Sequence, residues 1–340
     1  MQEEIMKGYK AGVNLGGWIS QCDLTPERIA RFIAKEDIAR IASWKLDHVR
    51  LPFDYPVLEE VSGVDGFAVI DTLIGWCKDC GLNVVLDMHH APGYVFDRDD
   101  KRLFTDAAVQ DHFFSIWEKF AGRYKSEGTN LLFELMNEIT DPHGDTWNRI
   151  ARTAIEKIHA IDPKRFILLG GPYYNSAAGL DLLEVWDDER ILYNFHFYEP
   201  FLFTHQRAGW SWLKNTDIRQ PYPGKIEGVD QIKKVLPKND DFANHSNEKG
   251  EIDRDFVLKK MAPAINFARR TGKTLYCGEY GAIDLADMDS RVNWLRDVTA
   301  LFNEHNIGRA YWSYKGMNFS SIDSQGNPVS AALVSAIASV

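Results

Sequence analysis

Eight short apolar runs alternate with longer amphipathic stretches along almost the whole of this 340-residue chain, and that rhythm limits its possible folds more than any other feature. The runs are "AGVNLGG" (11–17), "DHVRLPF" (47–53), "LNVVLDMHH" (82–90), "NLLFELMNE" (130–138), "RFILLGG" (165–171), "RILYNFHFY" (190–198), "KTLYCGEYG" (273–281) and "GRAYWSY" (308–314). Most are rich in Val, Ile, Leu and aromatic residues with little polar alternation, the pattern of parallel strands buried on both faces. Helical periodicity fills the gaps at 35–46, 67–80, 107–125, 146–161, 255–272 and 289–305, with acidic first turns and glycine stops. The expected fold is α/β: a single (β/α)₈ TIM barrel over residues 1–340.

One interval breaks the rhythm. More than fifty residues separate "NFHFY" from "DFVLKK", too many for a structureless loop in a compact domain. A small subdomain inserted at 199–254, helical at "GVDQIKKVL", is expected there. Because it follows the sixth strand, it should rise at the end of the barrel where active sites sit, as a wall or lid.

Charge narrows the partners. With 39 Lys+Arg against 49 Asp+Glu the formal charge is -10, which disfavours nucleic acid and anionic lipid but not a neutral substrate. No run is long and apolar enough to span a membrane. The start, "MQEEIMKGYKAG", lacks the apolar core of a secretory signal. A cytoplasmic protein is expected, or a secreted one whose leader has been removed, and a monomer. Cys22, Cys77, Cys80 and Cys277 are the only cysteines. "CKDC" has redox or zinc spacing, but it lies in a helix pattern ended by Gly81 and no second pair follows, so reduced structural thiols are expected.

In a barrel of this type the chemistry gathers at the C-terminal strand ends. Polar residues recur there: Arg50 on the second strand, His89 and His90 on the third, Asn137 and Glu138 on the fourth. His196 and Tyr198 follow on the sixth, Glu279 on the seventh and Trp312 on the eighth. Strict alternation puts His196 and Tyr198 on one face, and Cys277 and Glu279 likewise. Two glutamates on opposite sides of one rim suit glycosidic bond cleavage, which needs one carboxyl protonated and the other ionised. Arg50 beside one of them would keep it charged. Glu134, four residues before Glu138 and about 13 Å deeper if the strand is regular, is expected to be a buried structural carboxylate.

"FELMNE" and "YCGEYG", supported by "NLGGW", "HVRLPFD", "LDMHHAPG", "NFHFY" and "AYWSYK", resemble glycoside hydrolase family 5, the cellulase family of retaining (β/α)₈ enzymes. The resemblance implies Glu138 as acid/base and Glu279 as nucleophile, with no cofactor. It implies Asn137 on the sugar 2-hydroxyl, Arg50 and Tyr198 on Glu279, and His196 near Glu138. His89 matches the family's third-strand histidine, His90 less closely, and Trp312 would floor the sugar at the cleavage point. The implied activity is a retaining endo-β-1,4-glucanase acting on cellulose-type or mixed-linkage β-glucan. β-Mannanase, glucomannanase or exo-β-1,3-glucanase activity remains open with the same catalytic pair.

Two other readings stand beside it. One is a metal-dependent hydrolase using Asp87, His89, His90 and His196, although the first strand offers it no ligand. The other is a non-catalytic carbohydrate-binding protein, which should have lost a glutamate. Trp18 is expected to pack. Phe201, His205, Trp210 and Trp212 divide evenly between core and substrate contact.

Overall fold

The computed structural model describes residues 4, 6–59, 63–140 and 144–340. Its strands, in chain order, are β1 (Ala11–Asn14), β2 (His48–Asp54), β3 (Asn83–His90), β4 (Leu131–Glu134), β5 (Ile167–Gly170), β6 (Ile191–Phe197), β7 (Gly224–Lys225), β8 (Glu251–Ile252), β9 (Leu275–Tyr280) and β10 (Gly308–Tyr311). All but β7 and β8 pair in parallel and close a barrel in the order β1-β10-β9-β6-β5-β4-β3-β2. The expected eight-stranded barrel is what forms.

Two apolar layers explain why the strands carry so little polar alternation. Val84, Phe133, Ile167 and Ile191 face the helices, whereas Val85, Leu132, Leu168 and Leu192 fill the barrel interior near its N-terminal end. Each fully buried side chain of this size contributes about 1.5–3 kcal/mol by leaving water. Nearer the C-terminal end the inward positions turn polar. Arg50, Asp87, Glu134 and Asn194 are all completely buried there, and such groups persist only when paired.

The helices begin and end where their local chemistry directs. Asp65, Asp106, Asp253 and Asp287 each accept a hydrogen bond from a first-turn N–H of the helix that follows, satisfying donors the helix cannot. Gly81 and Gly272 close two of them at φ 71° and 70°, a conformation that suits glycine. Pro26–Phe32 and Ala331–Ile337, seven residues each, are too short for their periodicity to stand out and were not expected. The Cys77–Cys80 pair lies in the helix Gly66–Cys80, and all four thiols are free.

Residues 199–254 hold the antiparallel pair β7–β8 and the helix Val229–Val235. Leu202, Leu213, Ile218 and Ile232 make a small apolar core of their own there.

Two strand expectations need correction. β4 ends at Glu134, not at residue 138, so the regular rise does not measure the depth between Glu134 and Glu138. On β9 the register slips: Phe195 pairs with Cys277, but His196 pairs with Glu279. Cys277 faces the helix layer, while the Glu279 carboxylate meets Arg50 inside the barrel. They do not share a face, because the extra residue of the bulge, Gly278, resets the alternation.

Candidate active site

Arg50 is the centre of the polar network. Its Nε and Nη2 donate to the two oxygens of Glu134 at 2.7 and 2.8 Å. Nη1 donates to Asn14 at 2.9 Å and to Glu279 at 2.8 Å. Nη2 also reaches Asn137 at 3.0 Å and Asp87 at 2.9 Å. One planar guanidinium thus ties β1, β2, β3, β9 and the segment after β4 together. Around a single cation stand three carboxylates. Burial pushes Asp87 and Glu134 up to about 7, and Arg50 holds the rise back.

The two glutamates expected at the rim meet. The carboxylates of Glu138 and Glu279 and the ring of His196 each present an atom such that all three lie within 4.8 Å of one another. His196 Nδ1 is 3.0 Å from Glu138 and 3.6 Å from Glu279. The pair is not symmetric. Glu279 accepts from Arg50 and, at 2.9 Å, from the Tyr198 hydroxyl. Glu138 has neither partner.

Electrostatics follow that asymmetry. Burial raises the pKa of Glu279, while Arg50, His89 and Tyr198 hold the rise back. For Glu138 burial is again the main cause and the charge of Glu279 adds to it, driving the carboxyl well above the usual range. The first proton to leave the pair is therefore that of Glu279. His196 is pushed far below its ordinary pKa by burial and by Arg50, so it stays neutral beside Glu138. His89 is lowered to about 3, chiefly by burial. The Glu138 side chain is 15% exposed and that of Glu279 6%. Glu138 is thus the better placed of the two to exchange protons with water.

The remaining walls are aromatic and histidine-lined. Trp312 lies parallel to His89, planes 7° apart. A Cβ on Gly16 would come within 2.8 Å of the Trp312 ring, which accounts for a glycine in "NLGGW". His89 Nδ1 is 2.8 Å from Asp87 and His90 Nδ1 is 3.0 Å from Asp54.

The comparisons with known proteins agree with this geometry. The family described as Cellulase (glycosyl hydrolase family 5) matches residues 8–318. Endoglucanase C of Acetivibrio thermocellus is 42% identical over 343 residues, covering 98% of this chain and 99% of that one. This chain belongs to glycosyl hydrolase family 5. As a member it is a glycoside hydrolase. Cellodextrinase A of Ruminococcus flavefaciens is 36% identical over 309 residues, covering 89% of this chain and 84% of that protein. The crystal structure of endoglucanase Cel5A from Thermotoga maritima shares the fold, with TM-score 0.75, 23% identity and 99% coverage of both chains.

Of the nine residues singled out in the sequence, His89, His90, Asn137, Glu138, His196, Tyr198, Glu279 and Trp312 lie at or just past the C-terminal ends of their strands, whereas Arg50, expected there too, is the third residue of β2 and reaches Asn137 and Glu279 from mid-strand. Trp18 packs as expected, its indole N–H on the Ile29 carbonyl at 2.9 Å. Phe201 stacks on both His205 and Trp212, and His205 also packs edge-on against Tyr198, 5.0 Å between centroids. Trp210 is 58% exposed. Asn14 and Asn194 were missed. Asn194 donates to Glu134 at 2.8 Å and accepts from the Gly278 N–H at 2.8 Å, so it holds both the Arg50 cluster and the bulge. A lone polar residue at an inward strand position was the signal for each.

Gly278 has no room for a side chain. A Cβ there would sit 2.8 Å from Asn194 Oδ1 and 3.2 Å from His196 Nε2. Gly278→Ala is expected to destabilise the fold by about 1–3 kcal/mol through overpacking. It should also lower kcat more than it raises KM, because Glu279 is the next residue. Urea denaturation and steady-state kinetics on the same sample check both.

Proposed function

We propose that this protein is a retaining endo-β-1,4-glucanase that cleaves cellulose-type or mixed-linkage β-glucan. The observation that carries the reading is the close, unequal carboxyl pair: Glu138 and Glu279 within 4.8 Å of each other, with Arg50 and Tyr198 on Glu279 alone. Retaining enzymes hold their carboxyls about 5–5.5 Å apart, and inverting ones leave room for a water between them. The contact here supports the retaining geometry.

In the first step a carboxylate oxygen of Glu279 bonds to the anomeric carbon as the glycosidic C–O bond breaks. The Glu138 proton passes to the departing oxygen. In the second step Glu138, now ionised, takes a proton from water, whose oxygen displaces Glu279 and restores the configuration. Charge grows on the sugar during both steps, and Glu279 faces it from a site preset by Arg50. Asn137, its carbonyl held by Arg50 and its amide nitrogen 3.5 Å from His89 Nε2, has a second amide N–H for the sugar 2-hydroxyl. His90 Nε2 is buried without a partner and suits another hydroxyl, and Trp312 offers an apolar floor.

A divalent cation fits this cluster poorly. The donors that converge among the described residues are Glu138, His196 and Glu279 rather than the Asp87, His89, His90 and His196 set. A metal there would face the Arg50 guanidinium 2.8 Å from Glu279, a like charge in a low-dielectric site.

The β-1,4-glucan assignment is supported by relatives named endoglucanase and cellodextrinase. The test is reducing-end release from carboxymethyl-cellulose, barley mixed-linkage glucan, laminarin and β-mannan, with and without chelator. Activity on the first two, unchanged by chelator, is expected. Activity confined to laminarin or mannan would keep the mechanism and replace the substrate, and inactivity throughout would favour a binding protein.

A further inference from the structure

Glu138 stands on backbone that needs holding. Its φ is 20°, a positive angle that residues with a Cβ seldom adopt and that persists only where the surroundings enforce it. β4 ends at Glu134, so Glu138 lies beyond the regular ladder. On one side of it the Asn137 N–H donates to the Met88 carbonyl at 3.0 Å, and on the other the Ile139 carbonyl accepts from the Tyr174 N–H at 2.9 Å. Between those two points the tie comes from a side chain of another loop.

That side chain is Tyr94. Its hydroxyl donates to the Glu138 carbonyl at 2.5 Å and accepts from the Thr140 N–H at 2.9 Å. One phenol oxygen thus spans residues 138 and 140 and closes the turn that carries the carboxyl. Burial pushes the pKa of this phenol up, so it keeps the proton it donates. The ring is fully buried, Phe104 meets it edge-on at 5.1 Å, and the Lys101 ammonium lies 4.7 Å from its centre. The backbone N–H and carbonyl of Tyr94 both pair with Ala91 at 3.0 Å, directly after His89 and His90. Packing accounts for the ring but not for the hydroxyl, which is aimed at the main chain of Glu138.

We propose that Tyr94 is a positioning residue for Glu138, holding the acid/base carboxyl where it meets first the leaving oxygen and then the attacking water. This rests on the role given to Glu138 above. His196 Nδ1, 3.0 Å from the Glu138 carboxylate, guides the side chain, whereas Tyr94 guides the backbone beneath it. Misplacing a reacting group by about 1 Å can cost on the order of 100-fold. Loss of the hydroxyl should therefore show in the steps that Glu138 serves and in no others.

Y94F removes the hydroxyl and keeps the ring against Phe104 and Lys101. For cellotetraose, whose leaving group needs a proton, kcat/KM is expected to fall about tenfold or more. For 2,4-dinitrophenyl β-cellobioside, whose leaving group needs none, kcat/KM should stay within about threefold of wild type. Where hydrolysis of the glycosyl-enzyme limits turnover of that substrate, kcat and KM should fall together, because this step still needs Glu138 as base. Counting active sites with a 2-fluoro-cellobioside that traps the glycosyl-enzyme keeps any unfolded fraction out of these values. E138Q, run alongside, should show the same split, and adding Y94F to it should change kcat/KM for cellotetraose by less than about twofold. Equal loss on both substrates, full activity of Y94F on cellotetraose, or additive losses in the double variant would overturn the positioning role. Equal loss on both substrates in E138Q would remove the assignment of Glu138 itself, and the role of Tyr94 with it.

Discussion

Glu279→Ala should lower kcat on β-glucan by roughly 10⁵-fold, the scale seen when a covalent nucleophile is removed, without unfolding the barrel. The Glu279 side chain is at the site, not in an apolar layer, and its loss leaves Arg50 still paired with Glu134 and Asp87. Glu138→Gln should cost less, about 10²–10⁴-fold on polysaccharide, as expected for a lost general acid. It should cost little in the first step for an activated aryl cellobioside, whose leaving group needs no proton. Pre-steady-state release of the aryl group separates that step from hydrolysis of the glycosyl-enzyme. A Glu138→Gln variant that keeps full polysaccharide activity would remove Glu138 from the mechanism.

The sign of the pH dependence follows from the same pair. The proposed mechanism needs Glu279 ionised and Glu138 protonated. As pH rises kcat/KM should climb with deprotonation of Glu279, then fall when Glu138 loses its proton. The charge of Glu279 helps hold Glu138 protonated. In Glu279→Gln that charge is gone, so the pKa of Glu138 should drop, which carboxyl NMR titration can follow. An unchanged Glu138 pKa would mean the two groups do not interact.

Arg50→Met is expected to lose about 3–5 kcal/mol of stability, the cost of stripping a buried charge of its partner. Protonation of Asp87 and Glu134, already pushed up to about 7, should keep the loss toward the lower end. Activity should fall with it, because Glu279 loses the cation that keeps it ionised. Arg50→Lys is the sharper case: one ammonium cannot span Glu134, Asp87, Asn137, Asn14 and Glu279 as a planar guanidinium does. It should recover part of the stability and little of the activity. Urea unfolding and kcat measured side by side check this, and a fully active Arg50→Lys would show that only charge matters there.

Much of this was legible in the order of residues. Eight apolar runs with helical spacers specify a barrel because a strand buried on both faces cannot afford polar residues except where they are paired. Asn137, Glu138 and Glu279 were visible as polar groups at strand ends, where the fold places chemistry. Glu134 was read correctly as a buried structural carboxylate but placed too far from the site. It shares the Arg50 Nη2 with Asn137, because the chain leaves the regular ladder at Glu134.

By itself, then, the sequence determined the barrel and the polar rim on which Glu138 and Glu279 meet, since burial and periodicity are local properties of the chain. Only the tertiary structure decided how one guanidinium joins Glu279 to Glu134 and Asp87, and how the bulge at Gly278 turns Glu279 inward. Each depends on partners far away in sequence: Arg50 reaches Glu279 from β2, and Asn194 grips Gly278 from β6. Such contacts leave no periodic trace, because they are set by where closure of the barrel brings the strands together.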